Sequence, residues 1–367
     1  MLIVILKEVL ILTALFGVLT AVIVIAKMIF SNYGDCTITI NDKRELTVKG
    51  GLSLLSSLAE KDIFIPSACG GRGSCGTCKC KVTTGGGPLL PTEKPFLDAK
   101  ELAGDIRLSC QVKVKESISI NIPEEIFNVR KFKATIAEIA DYTHDIKGIT
   151  FKLLEPNNID FKAGQYVQLM TPKYAKQKQS VSRAYSISSK PSLKNQFQLI
   201  IRRVPEGICT TWVHDHLKVG DKVNLTGPYG DFFIRDTKAD IIYVAGGSGK
   251  APIKSMLEDL KEKGTDRRMA YFFGAVTKKD LYLTDYMEEF KQVFDDFDYY
   301  PVLSNPTEEE KWEGRKGFVM PFFSEYIKDP KNTEAYLCGS PRMLDSVCKE
   351  LVKMGVPEDN IYFDSFA

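Results

Sequence analysis

The chain is 367 residues long, 44% hydrophobic and 26% charged, with a formal net charge of +2. That length predicts two or three domains, and the near-neutral charge excludes the basic footprint of a nucleic-acid binder. No low-complexity block or fixed-period repeat runs through it.

Val9 to Ala26 is eighteen residues without a charge. A helix over it, at ~1.5 Å per residue, is about 27 Å long, near the lower limit for a bilayer span. Leu2 to Leu6 and Met28 to Phe30 lengthen the apolar stretch, with Lys7, Glu8 and Lys27 as expected interface residues. A signal peptide is one alternative, but the run is long for one and no small-x-small cleavage site follows. A buried helix is the other, but apolarity all round at the terminus favours a membrane span. The expectation is a transmembrane anchor over residues 1–30. Flanking charge is balanced and fixes no orientation.

A small mixed domain is expected over 34–122. Cys36-Thr-Ile-Thr-Ile-Asn and Arg44-Glu-Leu-Thr-Val read as a hairpin around Asn41-Asp42. Ser53 to Lys61 fits a short helix that Ser53 can cap, with Leu54, Leu55 and Leu58 on one face. Pro66 breaks the chain, Lys79-Cys-Lys-Val and Ile118-Ser-Ile are further strands, and Pro123-Glu-Glu-Ile reads as a linker. This is a β-grasp ferredoxin pattern.

Between these elements runs Cys69-Gly-Gly-Arg-Gly-Ser-Cys75-Gly-Thr-Cys78, and Cys110 follows in Leu-Ser-Cys-Gln. Four thiolates are what a [2Fe–2S] cluster needs. Gly70, Gly71, Gly73 and Gly76 let the backbone curl and aim its N–H groups at sulfur. The first gap holds five residues where plant-type ferredoxins have four, which reads as a one-residue insertion. A structural zinc is the rival, since Cys75-x2-Cys78 also suits zinc, but Cys110 lacks a near partner for a second knuckle. Disulfides are a third reading, set against an odd count of nine cysteines. Cys80, flanked by lysines, reads as a strand residue and not as a ligand.

Short strands at Lys133, Ile149, Tyr166, Phe197 and Lys222 predict an antiparallel β-barrel domain over 130–236. Within it stands Arg183-Ala-Tyr-Ser. An arginine can clamp a pyrophosphate, Tyr185 on the same strand face can stack on a flavin ring, and Ser186 can hydrogen-bond the flavin N5. In Gly207-Ile-Cys-Thr-Thr-Trp, Gly207 and Thr210 would approach the same phosphates. His214-x-His216 reads as the surface of a short helix and not as a metal site.

Residues 239–367 are expected to form a parallel doubly wound nucleotide domain. Asp240-Ile-Ile-Tyr-Val-Ala is an apolar strand that runs into Gly246-Gly-Ser-Gly-Lys-Ala-Pro and a helix to Lys261. A glycine loop between strand and helix cradles phosphate, although the spacing is not G-x-G-x-x-G. Further β–α units are expected at Arg268 to Val276 with Thr284 to Phe294, and at Ala335 to Cys338 with Met343 to Met354. Cys338 then lies at the carboxyl edge of the sheet, where it could pack against nicotinamide or be a buried strand cysteine. The chain ends Tyr362-Phe-Asp-Ser-Phe366-Ala, and a terminal aromatic could cover a flavin face. Thr277-Lys-Lys-Asp offers a lysine to an adenosine 2′-phosphate or is a solvated turn.

Together these motifs resemble the ferredoxin–NADP reductase superfamily fused to an N-terminal ferredoxin domain. With the anchor ahead, the chain is similar to the F subunits of sodium-translocating NADH:quinone oxidoreductases. Arg183-Ala-Tyr-Ser, Gly246-Gly-Ser-Gly-x-Ala-Pro, Cys338-Gly339-x-Pro and the Cys-x5-Cys-x2-Cys spacing carry the resemblance. It implies FAD held by Arg183, Tyr185, Ser186, Gly207 and Thr210, although FMN stays open. It implies NADH at Gly246, Gly247, Gly249, Pro252, Cys338 and Gly339, Phe366 near the flavin, and a cluster on Cys69, Cys75, Cys78 and Cys110. The chain departs from that pattern in a short stretch between Tyr166 and Arg183, in Lys250 within the glycine loop, and in Thr and Trp after Gly207.

The implied enzyme is an NADH dehydrogenase subunit in the cytoplasmic membrane, with everything after Ser31 in the cytoplasm. Hydride passes from NADH to flavin with Ser186, Cys338 and Phe366 around the reacting atoms. Single electrons then pass to the cluster, to partner membrane subunits and, indirectly, to quinone. One helix makes no ion path, so any sodium pumping belongs to other subunits. The alternatives are a reductase component of a multicomponent oxygenase, and a non-catalytic membrane-tethered carrier or scaffold.

Overall fold

Apolarity on every side decides the first element, α1 (Leu2–Phe30). All side chains from Leu6 to Ile25 are exposed, and this segment has a mean hydropathy of 2.6, long and apolar enough to cross a membrane. Its two threonines bond back into the helix, Thr13 to the Val9 carbonyl and Thr20 to the Phe16 carbonyl. That leaves no side-chain hydroxyl without a partner in an apolar surrounding.

The structure is a computed structural model describing residues 2–30, 33–175, 177–178 and 180–366, without the side chains of 2–5, 26–30 and 125. Met1, Ser31 and Ala367, at expected boundaries, and the side chain of Lys27 lie outside the described residues. The chain divides into two units, 1–67 with 71–127, and 128–367 with 68–70.

In the first unit β1 (Asp35–Ile40) and β2 (Arg44–Lys49) pair antiparallel. Asn41 and Asp42 take positive φ in the turn, which short polar side chains tolerate. Ser53 caps α2 (Leu54–Ala59), accepting from the Ser56 N–H at 3.2 Å. After β3 (Lys79–Thr84) come α3 (Ala99–Ala103), β4 (Ile106–Leu108) and β5 (Ile118–Asn121). The sheet order is β2-β1-β5-β3-β4, with β1 and β5 parallel. Leu54 and Leu58 are buried with Ile38, Ile40, Ile118 and Ile120. Asn41 closes the far edge, its side chain exchanging two hydrogen bonds of 2.9 Å with the Ile122 backbone. The expected linker after Pro123 instead continues as a tight helical turn that buries Ile126.

The second unit begins with β6 (Arg130–Asp141), β7 (Ile146–Glu155), β8 (Tyr166–Met170), β9 (Ser182–Ser186), β10 (Gln196–Arg202), α4 (Ile208–Asp215) and β11 (Lys222–Tyr229). Its order is β10-β7-β6-β11-β8-β9, antiparallel throughout. An Ile187–Leu199 bridge links the two ends, so the sheet closes towards a barrel. The short stretch before Arg183 folds back on itself through Thr171 and Val181. Lys176 and Gln179 within it are outside the described residues.

The parallel sheet then follows as β12 (Asp240–Gly246), α5 (Lys250–Lys263), β13 (Met269–Ala275), α6 (Thr284–Glu288), β14 (Phe297–Leu303), β15 (Arg315–Lys316), α7 (Phe323–Tyr326), β16 (Thr333–Gly339), α8 (Pro341–Lys353) and β17 (Ile361–Ser365). The order is β15-β14-β13-β12-β16-β17, all parallel. Alternate residues of β12 explain its unbroken apolar run. Ile241, Tyr243 and Ala245 join the core with Met256 and Leu257 of α5. Ile242 and Val244 join the opposite core with Val347 and Leu351 of α8. One expectation needs correction. The helix near Thr284 to Phe294 is cut short at Glu288 and goes on as a tighter turn. The terminal stretch, for which the sequence suggested no strand, forms β17 as an edge strand paired to β16.

Candidate redox and nucleotide sites

The cysteine loop has the backbone its glycines promised. Gly70, Gly71, Gly73 and Gly76 all have positive φ, where a side chain is strained. A Cβ on Gly73 would also lie 2.5 Å from the Gln111 amide nitrogen. Cys78 and Cys110 share a hydrogen bond. The Cys78 thiol, the Gln111 amide and the Gly73 N–H lower the Cys110 thiol below its ordinary range, while the same bond and burial push Cys78 up. Cys75 lies 3.1 Å from the Thr77 hydroxyl, and Cys69 is half-buried. Among the described residues no three of these side chains stand together as a ready metal site. The donor set nonetheless suits iron: four cysteine sulfurs on and beside a loop of backbone N–H donors. Cys80 is buried on β3, as its alternation predicted.

On β9 the Arg183 Nη1 donates to the Ser182 carbonyl at 2.6 Å, while Nε and Nη2 have no partner among the described residues. Such a half-free guanidinium fits a pyrophosphate. Tyr185 packs against the barrel core beside the buried Cys209 thiol, and burial holds its hydroxyl protonated. Thr210 stands differently from expectation. Its hydroxyl is taken up inside its own turn, accepting from the Val204 N–H at 3.1 Å and lying 3.3 Å from the Gly207 carbonyl. At the start of α4 Gly207 provides no side-chain cap, and the first-turn N–H groups lack helical acceptors. His214 is half-buried and not on the surface, its Nε2 3.2 Å from the Ile201 carbonyl, and burial lowers its pKa.

The glycine loop presses on the end of β16. A Cβ on Gly249 would lie 2.2 Å from the Cys338 carbonyl oxygen, and one on Gly246 would lie 3.1 Å from Met343 sulfur. Gly247 has φ +55. Pro252 occupies the first turn of α5, where a missing N–H costs nothing. Cys338 is fully buried, and desolvation, with the charge of Asp364, keeps its thiol protonated. Phe366 packs on the same core, and its N–H donates to the Gly339 carbonyl at 2.9 Å. Thr277 and Asp280 form a reciprocal cap that leaves Lys278 and Lys279 exposed, as in a solvated turn.

One residue here, Asp364, escaped the sequence reading, and Lys250, noted only as a departure in the glycine loop, takes a place that the sequence did not suggest. Asp364 pairs in register with Cys338 and accepts a hydrogen bond from the Ser186 hydroxyl at 3.1 Å. Burial pushes its carboxyl up to about 6, against the opposing effect of Ser186. The acid between two aromatics near the terminus was the available signal. Lys250 is fully buried behind the loop.

Three family models match: a 2Fe-2S iron-sulfur cluster binding domain over 38–115, an oxidoreductase FAD-binding domain over 133–234, and an oxidoreductase NAD-binding domain over 243–349. The chain is 36% identical over 394 residues to the F subunit of the Na(+)-translocating NADH-quinone reductase of Marinomonas sp. (strain MWYL1), covering 96% of each. It belongs to the family of these F subunits. Members in Pseudomonas aeruginosa, at 35% identity, and Neisseria meningitidis, at 36%, are likewise matched over 96% of this chain. Among solved structures it resembles the Amycolatopsis cytochrome P450 reductase GcoB (TM-score 0.74, 26% identity, 90% of this chain and 98% of that one). It also resembles the ferredoxin reductase in carbazole 1,9a-dioxygenase (TM-score 0.69, 25% identity, 91% and 99%). As a member of the NADH-quinone reductase family, the chain is an oxidoreductase carrying FAD-binding, NAD-binding and 2Fe-2S domains.

Proposed function

We propose that this chain is the NADH-oxidising subunit of a membrane complex, passing electrons in the order NADH, FAD, [2Fe–2S] cluster, partner subunits and quinone. The observation that supports it most is the convergence at one sheet edge of the glycine loop, Cys338, Phe366 and the Ser186–Asp364 pair. When bound, FAD supplies a hydride acceptor and the cluster a one-electron carrier.

The chain's own residues bind, orient and exclude water. The free side of the Arg183 guanidinium and the first turn of α4 hold the FAD phosphates. Tyr185 offers a ring to the flavin, and Ser186 stands for its N5. Gly246, Gly247 and Gly249 bring the backbone to the NADH pyrophosphate, with the first turn of α5 behind them. Cys338 gives the nicotinamide a neutral, dry contact, Gly339 keeps the edge close, and Phe366 covers the flavin. No proton transfer is needed for hydride to move, so positioning is the whole of the contribution. Cys69, Cys75, Cys78 and Cys110 hold the cluster. The apolar α1 anchors the chain, with both units on the cytoplasmic side where NADH is found.

The likeness to the ferredoxin reductase in carbazole 1,9a-dioxygenase favours a second reading, a reductase serving an oxygenase. That reading has no use for α1. The test is the visible spectrum of the full chain in detergent before and after anaerobic NADH. Flavin and cluster bands that both bleach agree with the proposal, and zinc in place of iron, or a flavin that NADH leaves oxidised, overturns it. Quinone reduction that appears only with co-expressed membrane partners separates the two readings.

A further inference from the structure

Lys250 opens α5, directly after Gly249. It is among the largest fully buried side chains of the protein. Among the described residues no carboxylate lies within ion-pair distance of it. Its Nζ donates to the Tyr282 carbonyl at 2.7 Å and to the Tyr299 hydroxyl at 3.0 Å. Its remaining surroundings are ring faces, with Nζ 3.9 Å from the centroid of Phe273 and 4.8 Å from that of Tyr282. Burial pushes this ammonium well below its usual range, so the placement is costly, whereas a methionine would fill the cage without a polar head.

The geometry shows what the amine holds. Tyr282 receives Lys250 at its carbonyl, and its own hydroxyl donates to the Gly247 carbonyl at 2.8 Å. Its ring stacks on Tyr142 with centroids 5.5 Å apart, which fixes where that hydroxyl points. Gly247 sits at φ +55, a conformation with no preference of its own for this one turn. The glycine turn is therefore tied from two ends to one residue: from within by the Tyr282 hydroxyl, and from its following residue through the Tyr282 peptide.

We propose that Lys250 is a positioning residue for the pyridine nucleotide: through Tyr282 it fixes the Gly247–Gly249 turn in the form that receives the NADH pyrophosphate. The inference rests on the reading of this loop as the nucleotide site. Lys250 touches no nucleotide atom itself. It works by sparing NADH the work of ordering the turn, which is a gain in binding and not in chemistry.

The test uses the full-length chain with its cofactors, and NADH:ferricyanide kinetics as the readout. Lys250→Met, Tyr282→Phe and the double variant are compared with wild type. Each single change is expected to raise KM for NADH roughly tenfold with kcat within about twofold, the pattern of lost uniform binding. The double variant is expected to be no worse than either single, since both cut the same connection. Additive effects, or a KM unchanged while the melting temperature falls, overturn the proposal and leave Lys250 a packing residue. Should Lys250→Met fail to fold, Tyr282→Phe alone decides, because it deletes one hydroxyl, and an unchanged KM then overturns the proposal. Gly249→Ala is the control on the underlying reading. If it too leaves KM unchanged, the loop is not the nucleotide site; if it raises KM while the other variants fail to couple, only the role of Lys250 falls.

Discussion

The Ser186 hydroxyl donates to the Asp364 carboxylate at 3.1 Å, across 178 residues of sequence. This bond joins β9, which carries the expected flavin contacts, to the last strand of the nucleotide sheet. Hydride transfer needs two ligands brought face to face, and this is where the side chains of the two sheets meet in a hydrogen bond. The pair also makes the site sensitive to pH.

Burial raises Asp364 to about 6, above the ~3.9 of an ordinary aspartate. Between those values the folded chain holds a proton that the unfolded chain has lost, so this residue makes stability fall as pH rises through that window. At ~1.4 kcal/mol per pKa unit, the cost above pH 6 is on the order of 3 kcal/mol at most. Asp364→Asn is expected to lose this limb. The stability difference, variant minus wild type, should grow from pH 4 to pH 6.5 in urea melts and then level. A difference that stays flat with pH counts against the burial of a charge at this position.

Glu93 and Arg107 form a buried ion pair at 2.7 Å in the first unit. Glu93 also accepts from the Leu90 and Leu108 N–H groups, and Arg107 donates to the carbonyls of Gly86, Gly87 and Pro88. Arg107→Ala leaves a carboxylate unpaired in the interior, a loss of about 3–5 kcal/mol. The expected outcome is a chain that keeps its flavin and loses its iron, read by metal analysis beside flavin absorbance. Equal loss of both would mean that the two units do not fold independently.

Cys75→Ser removes one of the four sulfurs. The variant is expected to lose the cluster and electron delivery to quinone while NADH:ferricyanide activity stays within about twofold, since that readout needs only the flavin. Iron content and the two activities on one preparation decide it. An intact cluster would mean that Cys75 is not a ligand.

Thr210 spends its hydroxyl on its own turn, so the methyl-bearing isostere should matter more than its size suggests. Thr210→Val is expected to cost about 1–3 kcal/mol by leaving the Val204 N–H unsatisfied, and to weaken FAD retention with it. Thr210→Ser should restore both. FAD release on dilution and thermal melts, run side by side, check the pairing. A Val variant as stable as wild type that nonetheless sheds FAD would mean a direct phosphate contact instead.

Much of this was readable from the sequence because the deciding forces are local or periodic. Eighteen uncharged residues in a row form one apolar helix, Asn41-Asp42 tolerate the positive φ of a tight turn, and Ser53 reaches the Ser56 N–H. The β12 strand was legible because both of its faces are buried. The rest depends on partners far along the chain. The β17 strand, Ile361–Ser365, is five residues long and has no signature until β16 is beside it. The helix at Thr284 gives way after Glu288 to a tighter turn, in which Phe290 packs against Phe297 of β14, a contact no local pattern announces. Lys250 looked like an anomaly in a glycine loop, and its explanation, Tyr282, lies 32 residues away in the loop ahead of α6. No spacing rule connects them.

The parallel pairing of β1 with β5 has a consequence for the order of biosynthesis. Ile38 to Ile40 sit in register with Ile118 to Ile120, and Asn41 waits for the backbone of Ile122. The first strand therefore has no sheet partner on that side until residue 122 has left the ribosome, by which time Cys69, Cys75, Cys78 and Cys110 have all been made. A nascent chain cut before Ile118 therefore carries its cysteine loop without the central strand of its sheet, and leaves those thiols open to oxidation.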